Sequence, residues 1–197
     1  LTSLVLHLLN CLLVFWLIRS LTGNAAAAFI TALFFGIHPL NVESVVWVSA
    51  RKDLLYSFFF LGAIIVYILY LNHPKQSGVS VSRLPRQLYY CFSLTLFIFS
   101  SLSKAMAITL PLVLILIDYL LNRRRDKAMI LDKLPFFALS LFFGVVAALG
   151  QYVQGGARQE AAFNLLHKFA VAGYSLIFYL GKIIIPVKLS CLYPYPE

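Results

Sequence analysis

Long apolar runs separated by short polar breaks set the pattern of this chain. Seven runs can be read, at about 3–18, 25–37, 54–71, 88–102, 105–121, 136–153 and 165–185. The breaks carry turn residues or charge: "TGN" at 22–24, "NHPKQSGVSVSRLPRQ" at 72–87, "NRRRDK" at 122–127 and "QGGARQE" at 154–160. A hydrocarbon core of about 30 Å takes roughly 20 helical residues to cross. The pattern therefore predicts an all-α, polytopic transmembrane domain of about seven membrane segments. The second run, "AAAAFITALFFGI", is short. As a helix it rises only about 20 Å, so it crosses only by tilting, by thinning the bilayer or by continuing beyond Pro39.

The polar break after that run is the most unusual. In "HPLNVESVVWVSARKD", residues 38–53, Pro39 has no N–H and disfavours helix at His38, which predicts a break or kink there. Asn41 is a good N-cap for a short helix over 42–50, and Glu43 in its first turn suits the positive end of the helix dipole. Val42, Val45, Val46 and Ser49 share a face at helical spacing, and Trp47 suits the membrane interface. A re-entrant or interface-lying helix is expected, with Asp53 capping the third span from Leu54.

Composition agrees with a membrane protein: 61% of the 197 residues are hydrophobic and 12% are charged, against roughly 25% charged in soluble domains. The net charge of +9 is carried between apolar runs and forms no stripe on a soluble face. Anionic lipid headgroups are the expected partner, and nucleic acid is not. Cys11, Cys91 and Cys191 are odd in number and widely spaced, which supports neither a disulfide framework nor a zinc site. No internal repeat, metal-spaced cluster, Gly-rich phosphate loop or nucleophile motif is present in the sequence.

Charge also orients the array. With alternating runs, one face carries Arg19, Lys75, Arg83, Arg86, Arg123, Arg124, Arg125, Lys127 and Lys133, and the other Arg51, Lys52, Lys104, Arg158 and Lys168. The richer face is cytoplasmic by the positive-inside rule. Loops 72–87 and 122–135 are then cytoplasmic and 38–53 is extracytoplasmic, with Lys182 near the cytoplasmic side if the last run is a simple span.

The cations of 38–53 and of "SLSK" at 101–104 stand against that trend. A structural reading makes His38-Pro39 a kink, Asn41 and Asp53 caps, and Arg51 and Lys52 headgroup contacts. Against it, a charge at the centre of a membrane helix costs about 2.5–3.5 kcal/mol, yet His38, Glu43, Arg51, Lys52, Asp53 and Lys104 converge on one face. A polar cavity is expected, whose cations suit a phosphate and whose carboxylates suit positioning or proton transfer. Elsewhere, Asp118 is expected to snorkel toward Arg123–Arg125. His7 and Asn10, an i, i+3 pair, are expected to hydrogen-bond between helices rather than hold a metal.

"LHLLN" (6–10), "HPLNVESVVWVSARKDLLYSFFFL" (38–61), "LSKAMAITLPLVLILIDYLL" (102–121), "YLGKIIIP" (179–186) and "LYPYP" (192–196) resemble the membrane half of the transmembrane and tetratricopeptide-repeat (TMTC) proteins, particularly their bacterial relatives. That family is similar to the GT-C glycosyltransferases, which pass a sugar from a polyprenyl-phosphate carrier to a protein or glycan acceptor on the extracytoplasmic side; eukaryotic relatives are associated with protein O-mannosylation. The resemblance implies that Arg51, Lys52 and Lys104 hold the carrier phosphate, with His38, Asn41, Glu43 and Asp53 supporting them on the acceptor side. It also implies catalytic carboxylates in a loop upstream of Leu1 and a repeat array downstream. Residues 1–197 are then expected to be a single transmembrane domain, an internal piece of a longer protein of the bacterial inner membrane. Two rival functions follow from the same charges: a lipid-linked sugar transporter or flippase, and a non-catalytic anchor for a repeat domain. A transporter would favour paired broken helices; the sequence shows one.

Overall fold

The computed structural model describes residues 1–72, 85–123, 127–153, 165–184 and 186. Residues 73–84 of the expected loop 72–87, residues 124–126 of the loop 122–127, all of the loop 154–160 and the "YPYP" tail lie outside the described residues. Those described form helices and no strand. Helix α1 (Thr2–Thr22) ends on Gly23, whose φ of 70° lets its N–H return to Arg19 O at 2.9 Å. Asn24 then caps α2 (Ala25–Ile37), its Oδ1 accepting from Ala26 and Ala27 N–H at 2.9 and 3.2 Å. The "TGN" break is thus a stop signal followed directly by a start signal.

Pro39 breaks the second run as its chemistry requires. His38 is extended, a 3-10 turn spans Pro39–Asn41, and α3 (Val42–Val46) leaves α2 at a bend of 52°. The short helix stops earlier than the expected residue 50: Trp47 is extended and Val48–Ala50 is a separate 3-10 turn. Helix α4 (Arg51–Asn72) follows at once. It begins three residues before Leu54, so Asp53 lies inside its first turn and does not cap it. Asn41 does not cap α3 either. Its side chain donates backward to Phe35 O at 2.6 Å and so satisfies a carbonyl that Pro39 left without an N–H partner at the end of α2.

Helix α5 (Arg86–Ser103) packs along α4. Ser93 Oγ donates to Ala63 O at 2.8 Å and Ser100 Oγ to Tyr56 O at 3.1 Å, small polar side chains that let the two backbones approach. A 3-10 segment (Ala105–Thr109) leads into α6 (Leu110–Leu120), and α7 (Lys127–Leu131) leads into α8 (Leu134–Val153). Helix α9 spans Leu165–Ile184. The core lies where α4, α5, α6 and α8 meet, around Ala63, Tyr67, Phe97, Leu110, Leu114 and Phe136. Helices α1 and α2 pair with each other, and α1 also packs on α4.

Seven spans do not emerge. Among the described residues, three helices are long and apolar enough to cross a membrane: Thr2–Thr22, Arg51–Asn72 and Met129–Val153. The bent pair Ala25–Ile37 and Pro39–Val46 is a fourth if counted as one span. The fifth run fell short because it divides: its first turn is 3-10, and α6 has 11 residues, about 16 Å. The fourth run became α5, which spends part of its length on serines that face protein. Large apolar side chains on α8, Leu141, Phe142 and Val145 among them, are at least half exposed, as on a helix whose solvent is lipid.

Candidate functional site

The helices gather their charges at two opposite ends. At one, Asp53 in the first turn of α4 meets Lys104 at the end of α5, with Nζ and Oδ1 2.8 Å apart and each side chain about a third exposed. Lys104 reaches this place because α5 stops there: the residue is extended, and its N–H returns to Ser100 O. Arg51 and Lys52 occupy the same turn of α4 as Asp53, Arg51 half-buried and Lys52 exposed. The Nε of Arg51 is buried and has no hydrogen-bond partner among the described residues.

His38 belongs to this end as well. Its Nδ1 accepts from Leu40 N–H at 3.3 Å, which leaves Nε2 to donate to Ile183 O at 3.0 Å. This bond ties the α2–α3 break to the last turn of α9. It also corrects an expectation: Lys182 lies at the Arg51 end, over the Phe178 ring at 5.4 Å, and not at the opposite one. Glu43 is exposed in the first turn of α3.

Of the sequence-derived candidates, Arg51, Lys52, Asp53 and Lys104 are therefore together, and His38 stands on the adjoining break. Asn41 is occupied in holding that break. Asp53, expected to support the cations on the acceptor side, pairs with Lys104, one of the cations expected to hold phosphate. Among the described residues charge at this end is in favour of cations, Arg51, Lys52, Lys104 and Lys182 against Glu43 and Asp53.

The opposite end holds a buried cluster that the sequence showed only in part. Asp118, on the last turns of α6, does not snorkel; it is 1% exposed. Lys133, itself buried, bonds to Asp118 Oδ2 and to the Tyr67 hydroxyl of α4. Tyr67 in turn donates to Asp118 Oδ1 at 3.1 Å. Arg123 bridges Asp118 Oδ2 at 3.3 Å and Asp132 Oδ2 at 2.5 Å. Tyr70 donates to Asp132 Oδ2 at 3.2 Å, and Tyr90 to Asp132 O at 2.8 Å. Among the described residues the ion pairs of this cluster join two carboxylates, Asp118 and Asp132, to two cations, Arg123 and Lys133, and Arg86 lies over the Tyr70 ring at 4.2 Å. Burial acts against the Arg123 guanidinium, but its bond to Asp132 and the neighbouring carboxylates prevail and hold its pKa above the ordinary arginine value. The turn that aims Arg123 is local: Asn122 is left-handed, with φ 49°, and Arg123 N–H returns to Asp118 O at 3.0 Å. Among the described residues no group of three or more His, Cys, Asp or Glu side chains could hold a metal ion.

Over 128 residues the chain is 29% identical to the human protein named Protein O-mannosyl-transferase TMTC1. The match takes in 64% of this chain and 14% of that protein's length, so the chain spans about a seventh of the curated relative. No model of a known protein family matches the chain. No solved structure matches it.

Proposed function

We propose that the chain is the membrane core of a glycosyltransferase of GT-C type, transferring a sugar, mannose in the first instance, from a polyprenyl-phosphate carrier to a protein or glycan acceptor on the extracytoplasmic side. The similarity to a protein O-mannosyl-transferase carries this reading. The Arg51 end supplies its chemistry. When the sugar leaves, negative charge grows on the carrier phosphate, and fixed cations at a membrane rim stabilise that charge more than they stabilise the ground state. Arg51 is suited to this role because it has an unpaired buried Nε–H and a planar fork that matches phosphate oxygens. Lys52 adds a second cation. Lys104, paired to Asp53, is positioned by that carboxylate and keeps donors free for phosphate. The catalytic base is assigned to none of these residues.

The test is transfer from polyprenyl-phosphate mannose by the full-length protein. A hydrogen bond to a charged group is worth about 1.5–3 kcal/mol, so Arg51→Ala should lower transfer about tenfold to a hundredfold with little change in unfolding midpoint. Arg51→Lys should recover part of the loss, since lysine supplies charge without the fork. Wild-type transfer in both variants would reduce Arg51 to a headgroup anchor.

A further inference from the structure

Two side chains on the buried face of α1, His7 and Asn10, stand one turn apart and reach for different helices. Gly36 O on α2 can only accept, so His7 Nε2, 3.0 Å away, is the donor. The imidazole is steadied by stacking on Phe35, with ring centroids 5.7 Å apart. Asn10 Nδ2 donates to Leu54 O on α4 at 3.0 Å. These two carbonyls bracket the polar excursion between the helices. Gly36 is the next-to-last residue of α2 and Leu54 closes the first turn of α4. Between them lie the break, α3 and the turn that carries Arg51, Lys52 and Asp53.

The two bonds differ in what they satisfy. Leu40 N–H, the helical partner of Gly36 O, is turned to His38 Nδ1 at 3.3 Å. His7 therefore supplies the hydrogen bond that the break takes from the end of α2. Leu54 O lies within α4 and takes Asn10 on its second lone pair. Neither side chain is fully matched. His7 is 6% exposed and Asn10 0%, and His7 Nδ1 and Asn10 Oδ1 are buried without a partner among the described residues. A buried acceptor left unpaired works against folding. Such a pair is better suited to setting position than to adding stability, since one buried polar contact fixes which of several registers two helices adopt.

We propose that His7 and Asn10 are positioning residues, a clasp on α1 that fixes the height of the 38–53 excursion and so aims the Arg51 guanidinium and the Lys52 ammonium at the carrier phosphate. The inference rests on the glycosyltransferase reading and adds what sets the place of its cations. Ser100 completes the frame from the other side by donating to Tyr56 O at 3.1 Å. Helices α1 and α5 thus grip α4 two residues apart, at the end where Asp53 meets Lys104.

The experiment uses the full-length protein in nanodiscs. It measures transfer from polyprenyl-phosphate mannose, the unfolding midpoint and hydrogen–deuterium exchange by mass spectrometry. Asn10→Leu, close in volume and without a donor, should lower kcat about tenfold with KM within about twofold of wild type. Its midpoint should not fall, because the unpaired Oδ1 goes with the amide. His7→Leu should lower kcat to a similar extent, and His7→Gln, whose amide nitrogen has about the reach of Nε2, should restore most of it. Amides of 38–53 should exchange faster in both leucine variants while those of 86–103 keep the wild-type rate. Adding Asn10→Leu to Arg51→Ala should lower kcat by no more than about twofold further, since the clasp acts through that turn. Wild-type kcat in both leucine variants, losses that track the midpoint, or losses that multiply in the double variant would overturn the proposal. Wild-type exchange and transfer in both variants sinks the clasp and leaves the enzyme. Faster exchange confined to 38–53, in a protein whose wild type transfers no sugar, sinks the enzyme and leaves the clasp.

Discussion

Lys133 and Asp118 form an ion pair inside the protein, with the Tyr67 hydroxyl against both. Three helices contribute to it: α4, α6 and the entry to α8. Two charges taken out of water in this way hold only while each has its partner. Asp118→Ala is expected to lower unfolding stability by about 3–5 kcal/mol, measured by denaturant unfolding in mixed micelles. The double variant Asp118→Ala, Lys133→Met should lose less than the sum of the single losses, because it removes both charges. Strict additivity would show that the pair is uncoupled.

Asn122 makes that cluster reachable by turning the chain through φ 49°. A β-branched residue there meets the left-handed penalty of about 1–2 kcal/mol, so Asn122→Val should destabilise by that amount while Asn122→Gly stays within about 0.5 kcal/mol of wild type. Equal stability for valine would mean that the turn is not held in this form.

Local signals in the sequence were the readable ones. Gly23 and Asn24 announce a stop and a start within two residues, and Pro39 announces a break; each works through its own backbone or its nearest neighbours. Caps were misread where a competing partner lay within reach: Asn41 had Phe35 O, and Asp53 had Lys104. The number of spans was misread because an apolar run looks the same whether lipid or protein covers it, and α5 shows the difference only in the partners of Ser93 and Ser100. Asp118 was legible as far as Arg123, five residues away. Tyr67 and Lys133 come from other helices, and no sequence spacing points to them. The direction of α9 was hidden for the same reason, since the bond that places it runs from His38 to Ile183.

Gly36 is expected to be the most sensitive small residue of α2. Overpacking a tight contact costs about 1–3 kcal/mol, and the Cβ of Gly36→Ala would meet Cys11 Sγ at 3.1 Å. Gly36→Ala should lower the thermal midpoint, and adding Cys11→Ala should restore most of it by removing the opposing sulfur. A midpoint unchanged by Gly36→Ala would mean that the two helices separate freely.

Sidedness can be read by thiol labelling in a cysteine-free background. Ser49→Cys is expected to react from outside intact cells, and Ser80→Cys only after permeabilisation, following the lysine and arginine asymmetry. Lys182→Cys should behave like Ser49→Cys, because Ile183 lies against His38. Labelling of position 80 but not 49 from outside would invert the protein in the membrane.

Asp53 and Lys104 separate an anchor from an enzyme most sharply. Their pair is about a third exposed on each side, and an ion pair so placed contributes about 0.2–1 kcal/mol. Lys104→Ala should therefore leave the unfolding midpoint nearly unchanged. If the lysine only holds Asp53 in place, exchanging the two residues, Asp53→Lys with Lys104→Asp, preserves the pair and restores function. If its ammonium also faces a carrier phosphate, the exchange moves that donor to α4 and puts a carboxylate where phosphate should sit. Transfer should then fall at least tenfold in the exchanged protein, below the level of Lys104→Ala, because the carboxylate repels the growing phosphate charge. Wild-type transfer in the exchanged protein would assign Lys104 to the fold and leave Arg51 and Lys52 as the cations that meet the carrier.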